Sequence, residues 1–196
     1  RYAPEIPLDG VIGFAKSARL DSLLRDDPRF APAMMYSFMN MYGRELVNPA
    51  EIFRSQHALS LEQNMQVMCV NQFLLHYSRE PEDVYAPAFR RALYGGTLQR
   101  DFPDLWRILE LNTPGLSGHG VPVLSLQGGG DRIVPASSQT LYVDELRQTG
   151  TDVDYRVFAG VSHRDTRPVG FQDSVDWMLR IMFANPRRES EPVAGG

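Results

Sequence analysis

The sequence predicts an α/β fold: part of a parallel sheet, interrupted by a large helical insertion. Three observations carry this. The stretch after Gly120 alternates strand, helix, strand, helix. A glycine-containing apolar run at 7–15 reads as an earlier strand. Between the two, from 17 to 116, the hydrophobic pattern is helical and is broken repeatedly by proline and glycine.

In chain order, Pro7 to Ala15 forms the first expected strand, and its two glycines suit a close approach by a neighbouring backbone. Ala18 to Arg25 is a short helix stopped by Pro28, and the Met- and aromatic-rich run from Phe30 to Tyr42 ends at Gly43. Asn48-Pro49-Ala50-Glu51 combines an N-cap, a proline at the first helical position and an acid. Ser60-Leu61-Glu62-Gln63 is a capping box, placing Leu61, Met65, Met68, Cys69 and Leu75 on one helix face. Glu82 to Tyr94 is helical up to Gly95-Gly96, and Asp101 is the expected cap of a helix through Leu105, Ile108 and Leu109. Strand 121–127 follows, then helix 136–149, strand 153–158 and helix 171–183 with Phe171, Val175, Met178, Leu179 and Met182 inward. This divides the chain into a core of 1–16 and 117–184, an insertion of 17–116 and a loose, charged tail of 185–196.

The net charge of −4 and the absence of a basic cluster argue against a nucleic-acid partner. Of 20 basic residues only Lys16 is lysine. No apolar run approaches the roughly 18 residues that span a bilayer, and no signal peptide is present. Cys69 is the single cysteine, so neither an intrachain disulfide nor a cysteine metal cluster is available, and the compartment stays undecided. The chain opens on Arg1, close to a strand, which leads to the expectation that its beginning lies elsewhere.

Asp131 and His163 are the candidate site. The first strand of the closing pattern stops in Gly128-Gly129-Gly130 and presents Asp131, followed by Arg132-Ile133-Val134-Pro135. The second stops near Gly160 and presents His163. In open α/β sheets reactive groups collect beyond the carboxyl ends of the strands. A histidine with an ordinary pKa of about 6.5 suits proton transfer near neutral pH. A buried acid fixes its tautomer and stabilises its cation. An acid and a histidine on successive strand ends are two members of a nucleophile–histidine–acid triad.

These segments resemble the α/β-hydrolase superfamily. Gly130-Asp131-Arg132-Ile133-Val134-Pro135 is similar to the segment around its catalytic acid. Val161-Ser162-His163, with a loop and an amphipathic helix behind it, is similar to the segment around its catalytic histidine. Tyr2 to Val11 looks like the segment after the nucleophile helix in the secretory lipase family, the group that includes Candida-type lipase A. The resemblance implies the C-terminal part of an α/β-hydrolase parallel sheet with a large helical cap at 17–116. It implies Asp131 as the acid, His163 as the base, no cofactor or metal, and a small-molecule ester or lipid as substrate. It also implies export, and a serine nucleophile upstream of Arg1 on a Gly-x-Ser-x-Gly turn, either on the same polypeptide or on a partner chain. Gly115-Leu116-Ser117-Gly118-His119-Gly120 does not replace that turn, because His119 occupies the second motif glycine and the segment precedes a strand. The alternatives are a noncatalytic binding protein of the same fold and one chain of a two-chain hydrolase.

Other residues carry blander expectations. His57, His76 and His119 have no metal-ligand spacing, and Cys69 reads as a buried thiol. The triple glycine lacks the spacing of a phosphate loop. Met34, Met35, Met39, Met41, Met65 and Met68 suit either an acyl groove or packing within the insertion, with packing the stronger reading.

Overall fold

The computed structural model describes residues 8–184; the segment up to Pro7 and the tail from Asn185 lie outside the described residues. In chain order, among the described residues, β1 (Val11–Phe14) is followed by nine α-helices, with a 3-10 turn (Pro28–Phe30) between the first two: α1 (Leu20–Asp26), α2 (Ala31–Tyr42), α3 (Pro49–Ile52), α4 (Ser55–Val67), α5 (Val70–His76), α6 (Pro81–Val84), α7 (Pro87–Tyr94), α8 (Leu98–Asp101) and α9 (Pro103–Leu111). Then come β2 (Val123–Gly128), α10 (Ala136–Gln148), β3 (Val153–Phe158), α11 (Thr166–Val169) and α12 (Phe171–Ala184). Among the described residues two compact units result: one holds 8–16 and 115–184, the other is Ser17–Pro114.

In the first unit the strands are ordered β1-β2-β3 and both pairings are parallel. Val11 pairs with Val123, which pairs with Val153, so the three carboxyl ends emerge along one edge. Every residue of β2 is buried, as expected of a strand covered on both faces. Leu124 and Leu126 pack with Trp177 of α12, supported by Ile12, Phe14, Phe158 and Ile181. On the other face Ser125 accepts a hydrogen bond from Gln139 of α10 at 3.0 Å. The inward stripe of α12 is Ser174, Trp177 and Ile181, not the expected Phe171, Met178 and Leu179, which are exposed. The helix has apolar residues around most of its circumference. The Trp177 ring, lying against Gly10, sets the phase.

The second unit is built around its own core, in which Leu24, Met35, Phe53, Tyr85, Phe89 and Leu109 are buried. Its helices are short because prolines start several of them: Pro49, Pro81, Pro87 and Pro103 each occupy the first helical position. Four expectations change here. The helix expected from Glu82 to Tyr94 is broken into α6 and α7 by extended backbone at Tyr85 and Ala86, where Tyr85 bridges to Phe53. The helix expected to open at Ser60 opens at Ser55 and stops after Val67. Cys69 then caps a new helix with Gln72, so Cys69 is exposed and Leu75 turns outward, 88% exposed. Asp101 ends α8 instead of capping α9; its carboxylate accepts from the Thr97 hydroxyl and from Arg100. Met35 and Met39 are buried in the core, and Met41 is exposed.

Candidate functional site

The last residues of β2 and β3 lie against each other with almost no side chain between them. Gly129 N–H donates to the Phe158 carbonyl at 2.8 Å, and Gly130 N–H donates to the Val161 carbonyl at 2.9 Å. A Cβ on Gly128 would stand 2.3 Å from the Val161 oxygen, and one on Gly130 would stand 2.7 Å from the Gly160 oxygen. Glycine is the only residue that fits either place without moving the other loop. The triple glycine therefore seats one strand-end loop on the next.

That contact brings Asp131 and His163 together. The Nδ1 of His163 lies 2.8 Å from Asp131 Oδ2, across a sequence separation of 32 residues. The carboxylate is fully buried, and the imidazole is 34% exposed. Asp131 Oδ1 accepts from the Ile133 and Val134 backbone N–H groups at 2.8 and 2.9 Å, a local turn that fixes the carboxyl plane. Asp131 Oδ2 accepts a further hydrogen bond from Gln127 Nε2 at 3.2 Å. A buried carboxylate with this many donors is held as an acceptor. It accepts the Nδ1–H hydrogen bond of the ring, which leaves Nε2, without a hydrogen bond among the described residues, as the nitrogen able to accept a proton from outside.

The loop under His163 is shaped by its own side chains. Ser162 donates to Asp165 Oδ2 at 2.5 Å, and Thr166, fully buried, donates through its hydroxyl to the Ser162 carbonyl at 2.9 Å. Arg132 is exposed beside the acid. Ser117 is exposed in the turn before β2. Its neighbour Gly118 approaches the Thr149 carbonyl at the far end of α10 from Asp131, so Ser117 is one helix length from His163. His119 accepts a hydrogen bond from Val121 N–H at 3.0 Å within the same turn. His57 Nε2 meets the Asp83 carbonyl, and burial lowers its pKa. Among the described residues no three His, Cys, Asp or Glu side chains are grouped to hold a metal ion, and no helix is long and apolar enough to cross a membrane.

Two residues near the strand ends escaped the sequence reading. Gln127 is completely buried in β2, and the signal for it was a lone amide at an inward position of an otherwise apolar strand end. Lys16 follows the carboxyl end of β1, where Ala15 adopts a φ of +45° as the chain leaves the sheet. The signal there was its being the sole lysine.

No protein-family model matches the chain, and no curated protein matches it. Solved structures do. A protein assigned as a hydrolase from Legionella pneumophila aligns with a TM-score of 0.64 at 18% identity, over 91% of this chain and 49% of its own. The ligand-bound rice cell wall degrading esterase LipA of Xanthomonas oryzae aligns with a TM-score of 0.59 at 15% identity, over 92% of this chain and 51% of its own. At such identities the likeness is one of fold. The chain spans about half the length of these two structures, and over that half it has their α/β fold, with a parallel sheet and a large set of inserted helices.

Proposed function

We propose that the chain is the C-terminal part of a serine hydrolase of the capped α/β-hydrolase type, acting on carboxylic esters with an apolar acyl or alcohol part. The observation that carries the reading is the Asp131–His163 hydrogen bond at the carboxyl edge of a parallel sheet, with the ring about one third exposed. In this reading a serine upstream of Arg1, on the same polypeptide or a partner chain, attacks the ester carbonyl. His163 Nε2 takes the hydroxyl proton and returns it to the leaving alcohol, while Asp131 holds the tautomer and stabilises the imidazolium. Residues 17–116 form the cap that selects the substrate. The resemblance of 1–15 and 121–183 to the secretory lipase family supports an ester or lipid substrate. The fold shared with a bacterial esterase supports hydrolysis at a coarser level.

The test uses the full-length gene product that contains these 196 residues. His163→Ala and Asp131→Ala are each expected to lower turnover of a short-chain p-nitrophenyl ester by roughly 10³-fold or more, with the circular dichroism spectrum retained. Near-normal turnover in either variant removes the assignment. A gene product with no serine reactive toward a fluorophosphonate, and no ester turnover, supports the noncatalytic alternative.

A further inference from the structure

Gln127 is the most unusual side chain of the sheet. It sits one residue before the end of β2 and is 0% exposed, among strand residues that are otherwise apolar or small. Its Nε2 faces three acceptors: the Val134 carbonyl at 2.9 Å, the Gly128 carbonyl at 3.1 Å and Asp131 Oδ2 at 3.2 Å. With three acceptors on that side the amide orientation is settled chemically, since the flipped form would turn its carbonyl oxygen toward all three. Its Oε1 is buried and has no donor among the described residues. An unpaired buried carbonyl is destabilising. A methionine or leucine of similar volume would fill the space without that cost. Stability alone therefore does not settle the choice, since the apolar replacement would remove that cost but deprive the Val134 carbonyl of this donor.

The acceptors indicate what does. The Gly128 carbonyl already accepts the Asp131 N–H at 3.2 Å, so the amide is surplus there. Asp131 is different. Its Oδ1 has two backbone donors, but among the described residues Oδ2 has only Gln127 and His163. We propose that Gln127 is a positioning residue for the pair. Its amide ties Asp131 Oδ2 to the Val134 carbonyl across the loop and so fixes the oxygen that accepts the His163 Nδ1–H hydrogen bond. This builds on the reading of Asp131 and His163 as proton-transfer machinery and adds a residue to it. Gln127 acts through Asp131 and does not touch His163.

The experiment is proton NMR of the full-length gene product, following the low-field His163 Nδ1–H resonance, identified by its loss in His163→Ala. Gln127→Met and Gln127→Leu are compared with wild type, each with a thermal melt. Both are expected to melt cooperatively and to lose or shift the low-field signal. In parallel, kcat for the p-nitrophenyl ester is expected to fall about 10- to 100-fold with KM little changed, as for other residues that orient a reacting group from behind. An unchanged signal in either folded variant overturns the inference. Loss of the cooperative melt in both also overturns it, because Gln127 would then serve the fold and not the pair. A wild type without the signal removes the pair itself. A wild type that shows the signal and its dependence on Gln127, but hydrolyses no ester, defeats only the hydrolase reading.

Discussion

A single cation shows how the sheet constrains chemistry at the residue scale. The Lys16 side chain lies along Gly13 and places Nζ 5.1 Å from the Tyr142 ring centroid. Burial pushes its pKa down from 10.5 to about 8. The folded state therefore binds fewer protons than the unfolded state between those values, and stability rises with pH across that window. Below about pH 8 the cation is carried at its full desolvation cost, which the aromatic face offsets only in part. Lys16→Met keeps the stem packing and removes the charge. At pH 7 it is expected to stabilise the protein by about 1–2 kcal/mol, less than the whole shift would imply because the site is partly solvent-screened. The gain should be mostly gone by pH 10.5, where the lysine is neutral in the folded state and half neutral in the unfolded one. Urea denaturation at the two pH values measures it. An equal effect at both would show that the charge is not what matters.

At the element scale, the pair depends on two loops that only glycine allows to touch. Gly128→Ala puts a methyl group against the Val161 and Ser162 carbonyls and the Thr166 hydroxyl. These atoms belong to the loop that carries His163, so the loop must move. The expected cost is about 1–3 kcal/mol, together with loss of the His163 Nδ1–H signal. Gly150→Ala is the control. It faces open space but has a φ of +83°, so it should cost about 1–2 kcal/mol in backbone strain and leave the signal in place. Survival of the signal in Gly128→Ala would show that the seating does not govern the pair. The same contrast explains what could be read in advance. β2, β3 and α10 follow from apolar runs closed by glycine and proline, and Asp131 and His163 from their places at strand ends. The seat between them was not legible, because Gly128-Gly129-Gly130 spells a flexible turn without saying what lies against it. Gln127 was hidden for a related reason: a buried amide is recognised only by the acceptors around it. In the helical stretch the register was lost at Met68-Cys69. A continuous 3.6-residue period was carried across a break that Cys69 and Gln72 create, which turned Leu75 from an inward into an outward residue.

At the scale of the whole molecule, the two units have separate cores. Every residue of the larger buried cluster, from Leu24 to Leu109, falls within Ser17–Pro114. Within it, hydrogen bonds join segments distant in the chain. The Tyr85 hydroxyl donates to the Leu24 carbonyl at 2.7 Å, the Tyr94 hydroxyl to the Arg25 carbonyl at 2.8 Å, and Asn112 to the Tyr42 hydroxyl at 2.9 Å. Phe53 and Tyr85 stack with ring centroids 6.3 Å apart and form a short antiparallel bridge. Domains of this size bury enough surface to fold alone. Residues 17–114 expressed by themselves are therefore expected to be helical and to melt in one cooperative transition. Within that fragment, Tyr85→Phe leaves the packing but removes the hydroxyl donor to Leu24, and should lower stability by about 1 kcal/mol. Burial holds the Tyr85 phenol well above its usual pKa, so this bond stays formed into alkaline pH. A fragment without a melting transition, or one indifferent to Tyr85→Phe, would show that the helical unit depends on the sheet for its core. A fragment that folds would mean that the residues proposed to select substrate can vary without disturbing those proposed to move the proton. The two tasks would then be divided between two units of one chain, the helical one stable by itself.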